Sequence, residues 1–315
     1  MKEETIKKSH SKNGNTLRKM EWQLHLIILL PIIYLIVFSY VPMFGIRLAF
    51  VESLDYQKGI WGSKYVGLYW FKYMFESLPE FYRAFRNTLI IATAKLLLGF
   101  PVPIIVTLLL NEVRLKKYKK SMQTLYFLPY FFSWVVLSGM IKTIFQQGGI
   151  FDRFIQTFGG DSRLWLQDNL SFVFVLIFTD IWKGFGYGTI VYLAAITGID
   201  PTLYEAAQVD GANKFRQAIS ISLPGMMPMI ILNLILNIGS VINANFDQII
   251  NLYNPKVYEW SDIIDTLVYR MTLEGTSSAS YPLGTAVGLF KSVISLILIV
   301  ASNILVKKTT EYRVL

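Results

Sequence analysis

Long blocks of apolar residues, separated by short polar stretches, are the dominant pattern of this chain. A helix needs roughly 20 mostly apolar residues to cross the hydrocarbon core of a bilayer. Six blocks are close to that length, so the pattern predicts an all-α membrane protein with six transmembrane helices. The predicted spans cover residues 22–44, 88–110, 125–145, 171–190, 226–242 and 285–306.

The basic residues predict the orientation of these spans. With the N-terminus inside, the cytoplasmic pieces 1–21, 111–122, 191–225 and 307–315 hold 16 Lys and Arg residues, and the outer loops 45–84, 146–170 and 243–284 hold 9. Cytoplasmic loops carry the excess of positive charge, which favours an N-in/C-in topology. The run from Arg114 to Lys120 is the strongest determinant, and we interpret the tail 1–21 as disordered. The first block has no small-residue cleavage site, so it is predicted to be an uncleaved helix.

Composition excludes several kinds of chemistry. The chain is 53% hydrophobic with a mean hydropathy of +0.44, and its 16% of charged residues is well below the roughly 25% of soluble domains. It has no Cys, which excludes disulfides and thiolate sites, and its two His residues, His10 and His25, cannot form a His-rich metal site. In a membrane protein, the net charge of +9 indicates interaction with anionic lipids of the membrane rather than with nucleic acid. No phosphate-binding loop is present, so ATP hydrolysis by that route is excluded and an enzyme is not expected.

One cytoplasmic stretch within 191–225 combines helix signals with polarity. Asp200 is a helix-capping residue and Pro201 suits the first helical position. Gly211 is a natural stop, because glycine adopts positive φ at low cost. A second short helix is predicted from about Ala212 toward residue 223, ending at Pro224. Two short helices between two apolar segments form a cytoplasmic knuckle that a partner can push.

The same stretch carries a motif with fixed spacing. It reads Glu-Ala-Ala, three residues, Gly, nine residues, and then Ile-x-Leu-Pro, at Glu205, Ala206, Ala207, Gly211, Ile221, Leu223 and Pro224. This pattern resembles the EAA signature of binding-protein-dependent ABC importer permeases, and its Asp210-Gly211-Ala212 version is similar to the sugar-importing branch. Further matches to that branch lie at residues 65–75, 87–89 and 128–130.

The resemblance is to the maltose-type carbohydrate group, and within it to the Lpl-type polysaccharide-oligomer permeases. It implies a type I permease fold in the bacterial cell membrane, surrounded by membrane lipid, with a transport core over 85–306. Residues 1–84 would add a tail, the first helix and an aromatic outer loop, and 307–315 a cytoplasmic tail. It also implies a heterodimer with a second permease subunit, two cytoplasmic ATPase subunits, and an extracytoplasmic solute-binding protein. ATP and Mg would be bound by the ATPase subunits, with no cofactor in this chain and no nucleic acid.

The resemblance also implies roles for single residues. The helix of the knuckle would sit in a groove on the ATPase, with Glu205 as a salt-bridge or capping partner and Gly211 allowing the turn. Ala206 and Ala207 would keep the contact close. The implied coupling residues are Leu203, Tyr204, Glu205, Ala206, Ala207, Asp210 and Gly211.

Charged residues inside the predicted spans are candidates for the substrate path. Lys95, Lys183 and Lys291 lie in spans two, four and six, where a charge costs roughly 2.5–3.5 kcal/mol or more unless it faces a cavity or a partner. One interpretation is a basic cavity for an anionic or hydroxyl-rich solute. The other is local pairing, since Asp180 precedes Lys183 by one helical turn.

Polar and aromatic residues add further candidates. Asn233, Asn237 and Ser240 share one face of span five, where they can bind sugar hydroxyls or join helices by hydrogen bonds. Trp182 and Tyr187 can stack on a sugar ring or serve in packing.

The resemblance implies a permease subunit that imports an oligosaccharide, and the buried lysines favour one that carries carboxylates, such as a uronate. An ion-coupled secondary transporter is the alternative, but it calls for inverted repeats and an ionisable relay, and neither is clear. An intramembrane enzyme or an assembly protein is the third option, and no convincing catalytic set lies within the spans.

Overall fold

The structure, a computed structural model, describes residues 22–275 and 279–309. The predicted tail over residues 1–21, and residues 310–315 of the C-terminal tail, lie outside the described residues. Within the described part the fold is helical, and the single extended pairing there is an isolated antiparallel bridge between Val51 and Tyr65. Ordered along the chain, the helices outside the membrane spans are Gly59–Gly62, Tyr69–Ser77, Ile150–Thr157, Pro201–Val209, Phe246–Leu252, Pro255–Val257, Tyr258–Ser261, Ile264–Tyr269 and Arg270–Glu274.

Five described helices are long and apolar enough to cross a membrane, and a bent pair supplies a sixth span. The all-α, six-span prediction is therefore confirmed. The five are Trp22–Phe50, Pro79–Asn111, Asn169–Thr197, Lys214–Gly239 and Ser280–Ile304. The third span is broken after Phe131, because Phe132 and Ser133 are extended and Ser133 caps a new helix, Trp134–Phe145, by accepting a hydrogen bond from the Val136 backbone N–H. The two parts of this broken span meet at 104°.

The prediction that Pro224 ends the second knuckle helix is wrong. Helix Lys214–Gln217 continues through a π-helical turn, Ala218–Ser222, directly into the fifth span. Proline lacks a backbone N–H and crowds the preceding turn, and it is tolerated at the first positions of a helical segment. The widened turn just before Pro224 accommodates it, so knuckle and span form one continuous rod.

Two large apolar clusters hold the outer half of the bundle. One joins Trp134 and Leu137 of the third span to Phe172 and Leu176 of the fourth and to Ile249. The other joins the end of the first span and helix Tyr69–Ser77 to the second and sixth spans. Residues 22–44 of the first span are all exposed. In a membrane that surface meets lipid or another subunit.

Asp152 organises the outer loop between the third and fourth spans. Its buried carboxylate accepts hydrogen bonds from the Gly148 and Arg163 backbone N–H groups, the Ser162 hydroxyl and the Trp165 indole, at 2.9, 3.0, 2.7 and 3.1 Å. Several donors therefore converge on one acceptor group.

We expect Asp152→Asn to lower the midpoint of thermal unfolding by several degrees, because an amide turns a donor toward these donors and leaves buried groups unpaired. The matched control is Asp161→Asn, which changes an exposed carboxylate of the same loop and should leave the midpoint unchanged. Equal midpoints for the two variants in detergent-solubilised protein would contradict this role for Asp152.

Candidate functional site

A cleft of about 420 Å³ lies between the second, fourth and fifth spans. It is open on one side, and its wall mixes amide, aromatic and small residues with one lysine and one aspartate. The lining residues that matter for its chemistry are Lys95, Asp180, Tyr187, Asn233, Asn237 and Asn245. The structure therefore brings together four of the predicted path residues, namely Lys95, Tyr187, Asn233 and Asn237.

Lys95 forms the polar centre of the cleft. Its ammonium group donates to the Ala244 carbonyl at 3.0 Å and to the Gln248 side chain, and it lies 3.5 Å from the Asp180 carboxylate. Only 8% of its side chain is exposed. A charge buried at this depth is stable only when it is paired and hydrogen-bonded, and Lys95 meets both conditions.

The partner of Lys95 is the broken end of the fifth span. Regular helix stops at Ser240, a short 3₁₀ turn follows, and Ala244 and Asn245 then have φ of 45° and 60°. Left-handed backbone in two successive non-glycine residues is strained and persists only when its surroundings enforce it. Here the positive charge of Lys95 offsets the partial negative charge at the C-terminal end of the fifth-span helix. The Asn245 side-chain amide also donates a hydrogen bond to the Asp180 carboxylate at 2.6 Å. The kink in the chain at Ala244 and Asn245 is therefore stabilised by the same charged residues that line the cleft.

Gln248 completes this network from a fully buried position. Its amide nitrogen donates to the Leu176 carbonyl and to the Thr179 hydroxyl, both at 2.8 Å, while its oxygen accepts from Lys95. Sequence reasoning missed Gln248 and the roles of Ala244 and Asn245. The polar side chain of Asn245 could have indicated a role in the site, whereas an alanine gives no indication in the sequence that its φ is positive.

The neutral part of the cleft has an amide face and an aromatic wall. Asn233 and Asn237 follow each other by one turn, donating to the Met229 and Asn233 carbonyls at 3.1 and 2.8 Å. Tyr187 stacks on Tyr130 with ring centroids 4.6 Å apart and an angle of 9°. Ser240 ends the same helix, and its side chain lies outside the described residues. This arrangement offers amides for hydroxyl groups and a flat ring surface for a sugar face.

The other predicted path residues do not line the cleft. Lys183 donates to the Tyr130 and Phe132 carbonyls at 3.1 and 2.6 Å, so it closes the broken end of the third span. Lys291 is bound by both oxygens of Asp265, at 2.6 and 2.7 Å. Trp182 also lies outside the lining. Only one of the three intramembrane lysines, Lys95, therefore faces the cleft. The lysine that forms an ion pair with Asp180 is Lys95, and Lys183 instead binds backbone carbonyls.

The knuckle has the local structure that its sequence predicts. Helix Pro201–Val209 begins with Pro201 in its first turn, and the Asp200 side chain accepts from the Thr202 backbone N–H at 2.9 Å. That hydrogen bond lowers the pKa of Asp200 below its ordinary value of 3.8, so the cap stays ionised at neutral pH. Gly211 has a φ of +75°, which ends the helix in the left-handed conformation.

The helix of the knuckle has an anchored face and an exposed face. Tyr204 and Ala207 are half-buried, and the Tyr204 hydroxyl lies 2.9 Å from the Ser222 hydroxyl. Leu203 and Val209 are 52% and 88% exposed. Glu205, Ala206 and Asp210 are also exposed. An exposed apolar surface at the tip of a polar loop is typical of a docking site.

Comparison with known proteins agrees with these features. Residues 99–310 match the family model described as binding-protein-dependent transport system inner membrane component. Two relatives come from Bacillus subtilis (strain 168). Protein LplB is 40% identical over 93% of this chain and 90% of its own length. The polygalacturonan/rhamnogalacturonan transport system permease protein YteP is 42% identical over 91% of this chain and 88% of its own length.

Solved structures show the same architecture. A chain of a bacterial ABC transporter involved in the import of the acidic polysaccharide alginate is similar with a TM-score of 0.84 and 36% identity, over 93% of this chain and 98% of that chain. A chain of a bacterial alginate ABC transporter in complex with alginate pentasaccharide-bound periplasmic protein gives a TM-score of 0.83 at 36% identity, over 94% of this chain and 98% of that chain.

Proposed function

This chain belongs to the family of binding-protein-dependent transport system inner membrane components, and from that premise we propose which partners it couples to and which solute it carries. It is a multi-pass permease subunit of an ABC importer in the bacterial cell membrane and has no ATPase activity of its own. Our proposal is that it pairs with a second permease subunit, binds two ATPase subunits that hold ATP and Mg, and receives an acidic oligosaccharide from an extracytoplasmic solute-binding protein.

The observation that carries the proposal is the continuity of the knuckle with the wall of the cleft. Helix Lys214–Gly239 runs unbroken from the knuckle into the bilayer and carries Asn233 and Asn237. Tyr204 and Ser222 tie the first knuckle helix to the same rod. A force on helix Pro201–Val209 therefore moves the cleft wall directly. This linkage supports the roles proposed for the coupling residues, with Leu203 and Ala206 facing the ATPase and Tyr204 and Ala207 facing the chain itself.

Two exposed surfaces support a heterodimer. The cleft is open on one side, and residues 22–44 are all exposed in the part of the chain that the structure describes. A second permease subunit would close the cleft and turn it into a path through the membrane. Any part of the first span that this subunit did not cover would face lipid, because most of the residues of the span are apolar.

The substrate class rests on the relatives and on the neutral part of the cleft. Two similar proteins are named for polygalacturonan/rhamnogalacturonan transport and for alginate import, which are acidic polysaccharides. In this chain Lys95 and Asp180 balance each other, so the cleft has no excess of positive charge. We therefore propose that stacking on Tyr187 and hydrogen bonds from Asn233 and Asn237 hold the sugar rings, rather than a cluster of lysines.

Because we propose that the solute-binding protein delivers an acidic oligosaccharide, we expect cells that depend on this permease to take up oligogalacturonate and to take up a neutral oligosaccharide of the same length much less. Tyr187→Ala should lower uptake about two- to tenfold, because an aromatic contact contributes roughly 0.5–1.5 kcal/mol beyond its buried area. Uptake of radiolabelled oligosaccharides measures both effects. The control is Tyr56→Ala, which removes an exposed tyrosine of the outer loop. A preference for the neutral sugar would overturn the substrate class and leave the coupling proposal standing.

A further inference from the structure

We propose that the start of helix Lys116–Phe127 binds anionic phospholipid headgroups of the cytoplasmic leaflet. We call residues 114–120 the basic arm. It contains Arg114, Lys116, Lys117, Lys119 and Lys120 in seven positions. Clusters of four or more basic residues beside the cytoplasmic end of a membrane helix are attracted to anionic lipids.

The basic arm differs in its ion pairing from the lysines of the outer loop between the first and second spans. In the outer loop, Lys58, Lys64 and Lys72 each have a carboxylate oxygen nearby, at 3.7, 2.9 and 3.9 Å. No ion pair involves the basic arm within the described part of the chain, although Arg114, Lys116, Lys117 and Lys120 are exposed. The arm therefore carries positive charge that no carboxylate within the described residues neutralises.

The rest of the same helix shows where these charges lie in the membrane. Farther along it, Leu125, Leu128 and Phe131 are 62%, 51% and 70% exposed. Large apolar side chains exposed on a membrane helix lie at the depth of the lipid tails, where they meet lipid or another membrane subunit. Lys120 precedes Leu125 by roughly 7–8 Å along the helix axis at 1.5 Å per residue. Tyr118, 52% exposed, lies within the basic arm itself, and tyrosine is enriched at membrane–water interfaces. The exposed surface thus changes from cationic to apolar over the distance from headgroups to acyl chains.

This gradient favours lipid over an ATPase subunit as the occupant. A water-soluble ATPase subunit cannot follow this surface into the hydrocarbon, whereas a phospholipid contacts both of its zones, the basic one with its headgroup and the apolar one with its tails. The arm nevertheless lies close in sequence to a contact with the knuckle, because the carboxylate of Glu112, just before the arm, lies 3.7 Å from the Lys214 ammonium. Lipid bound at the arm would therefore lie close to the Glu112–Lys214 ion pair, and through it to helix Lys214–Gly239, which carries the cleft wall.

The test measures the affinity of the purified complete transporter, in neutral detergent, for phosphatidylglycerol and for phosphatidylcholine by native mass spectrometry. Each lysine near an anionic surface contributes about a factor of five. The triple variant Lys116→Gln, Lys117→Gln, Lys120→Gln should therefore lose on the order of 100-fold in apparent affinity for phosphatidylglycerol. The triple variant with arginine at the same positions should keep it. The matched control replaces Lys58, Lys64 and Lys72 with glutamine and should also keep it.

Insertion of each variant is checked separately. Because the chain has no Cys, a single Ser121→Cys reports by labelling whether the arm faces the cytoplasm. If the triple glutamine variant misorients, Lys117→Gln alone should still lose about fivefold. The inference is overturned if correctly inserted glutamine variants keep wild-type affinity for phosphatidylglycerol, if phosphatidylcholine binds equally well, or if the ATPase subunits dissociate while lipid affinity is intact. None of these results depends on the transported sugar.

Discussion

Leu203→Asp is expected to release the ATPase subunits and to lower ATP-driven uptake about 100-fold. Leu203 projects from the exposed face of helix Pro201–Val209, and the proposed groove would desolvate it on docking. A carboxylate placed there without a partner costs about 3 kcal/mol or more. Because each 1.4 kcal/mol is a factor of ten in affinity, that loss corresponds to about 100-fold. Co-purification of the ATPase with the tagged chain measures docking, and uptake in vesicles measures coupling.

The matched control for this variant lies on the other side of the membrane. Leu273→Asp changes a leucine that is 66% exposed in the outer segment and should leave ATPase binding intact. Gly211→Pro provides a second disruption of the knuckle, because proline cannot adopt a φ of +75°. If Leu203→Asp retains its ATPase partners at wild-type level while unfolding normally, the knuckle is not the docking element.

The second large effect is expected at Lys95. Lys95→Met leaves the Asp180 carboxylate and the Ala244 carbonyl without their buried cation, so we expect a loss of about 3–5 kcal/mol in the free energy of unfolding. Replacing both partners, as in Lys95→Met with Asp180→Leu, should restore much of the stability, because apolar replacement of a whole buried pair is often neutral. Uptake should stay low in both variants, because the Ala244 carbonyl loses its hydrogen bond from Lys95 and the kink there is no longer stabilised.

Thermal unfolding of the two single variants and the double variant forms a mutant cycle that isolates the pair. Lys142→Met serves as the control, because Lys142 is an exposed lysine of the third span. Additive losses in the cycle would show that Lys95 and Asp180 do not interact, and a loss at Lys142 equal to that at Lys95 would attribute the effect to charge alone.

The six spans and the knuckle could be predicted because their signals are local. Hydrophobic blocks define the spans, and Asp200, Pro201 and Gly211 mark the ends of one helix within a few residues of each other. The resemblance carried by Glu205 to Gly211 then supplied the family, which the comparison confirms.

The centre of the cleft could not be predicted, because its contacts are not local. Lys95 meets Ala244 across 149 positions of sequence and Gln248 across 153. Which lysine faces a cavity depends on how the helices are rotated relative to each other. Here it also depends on the breaks in the third and fifth spans, because each break leaves backbone carbonyls that a lysine can bind. Lys183 closes one break and Lys95 the other, so two charges that resemble substrate ligands in the sequence stabilise helix ends.

The most direct test of the account is solute uptake by the purified complex in sealed vesicles, with ATP and Mg supplied on the ATPase side and oligogalacturonate delivered by the solute-binding protein. The account predicts uptake that requires both ATP and the binding protein and that disappears in Leu203→Asp. Uptake by this chain alone, driven by an ion gradient without ATP, would contradict it and identify an ion-coupled transporter instead.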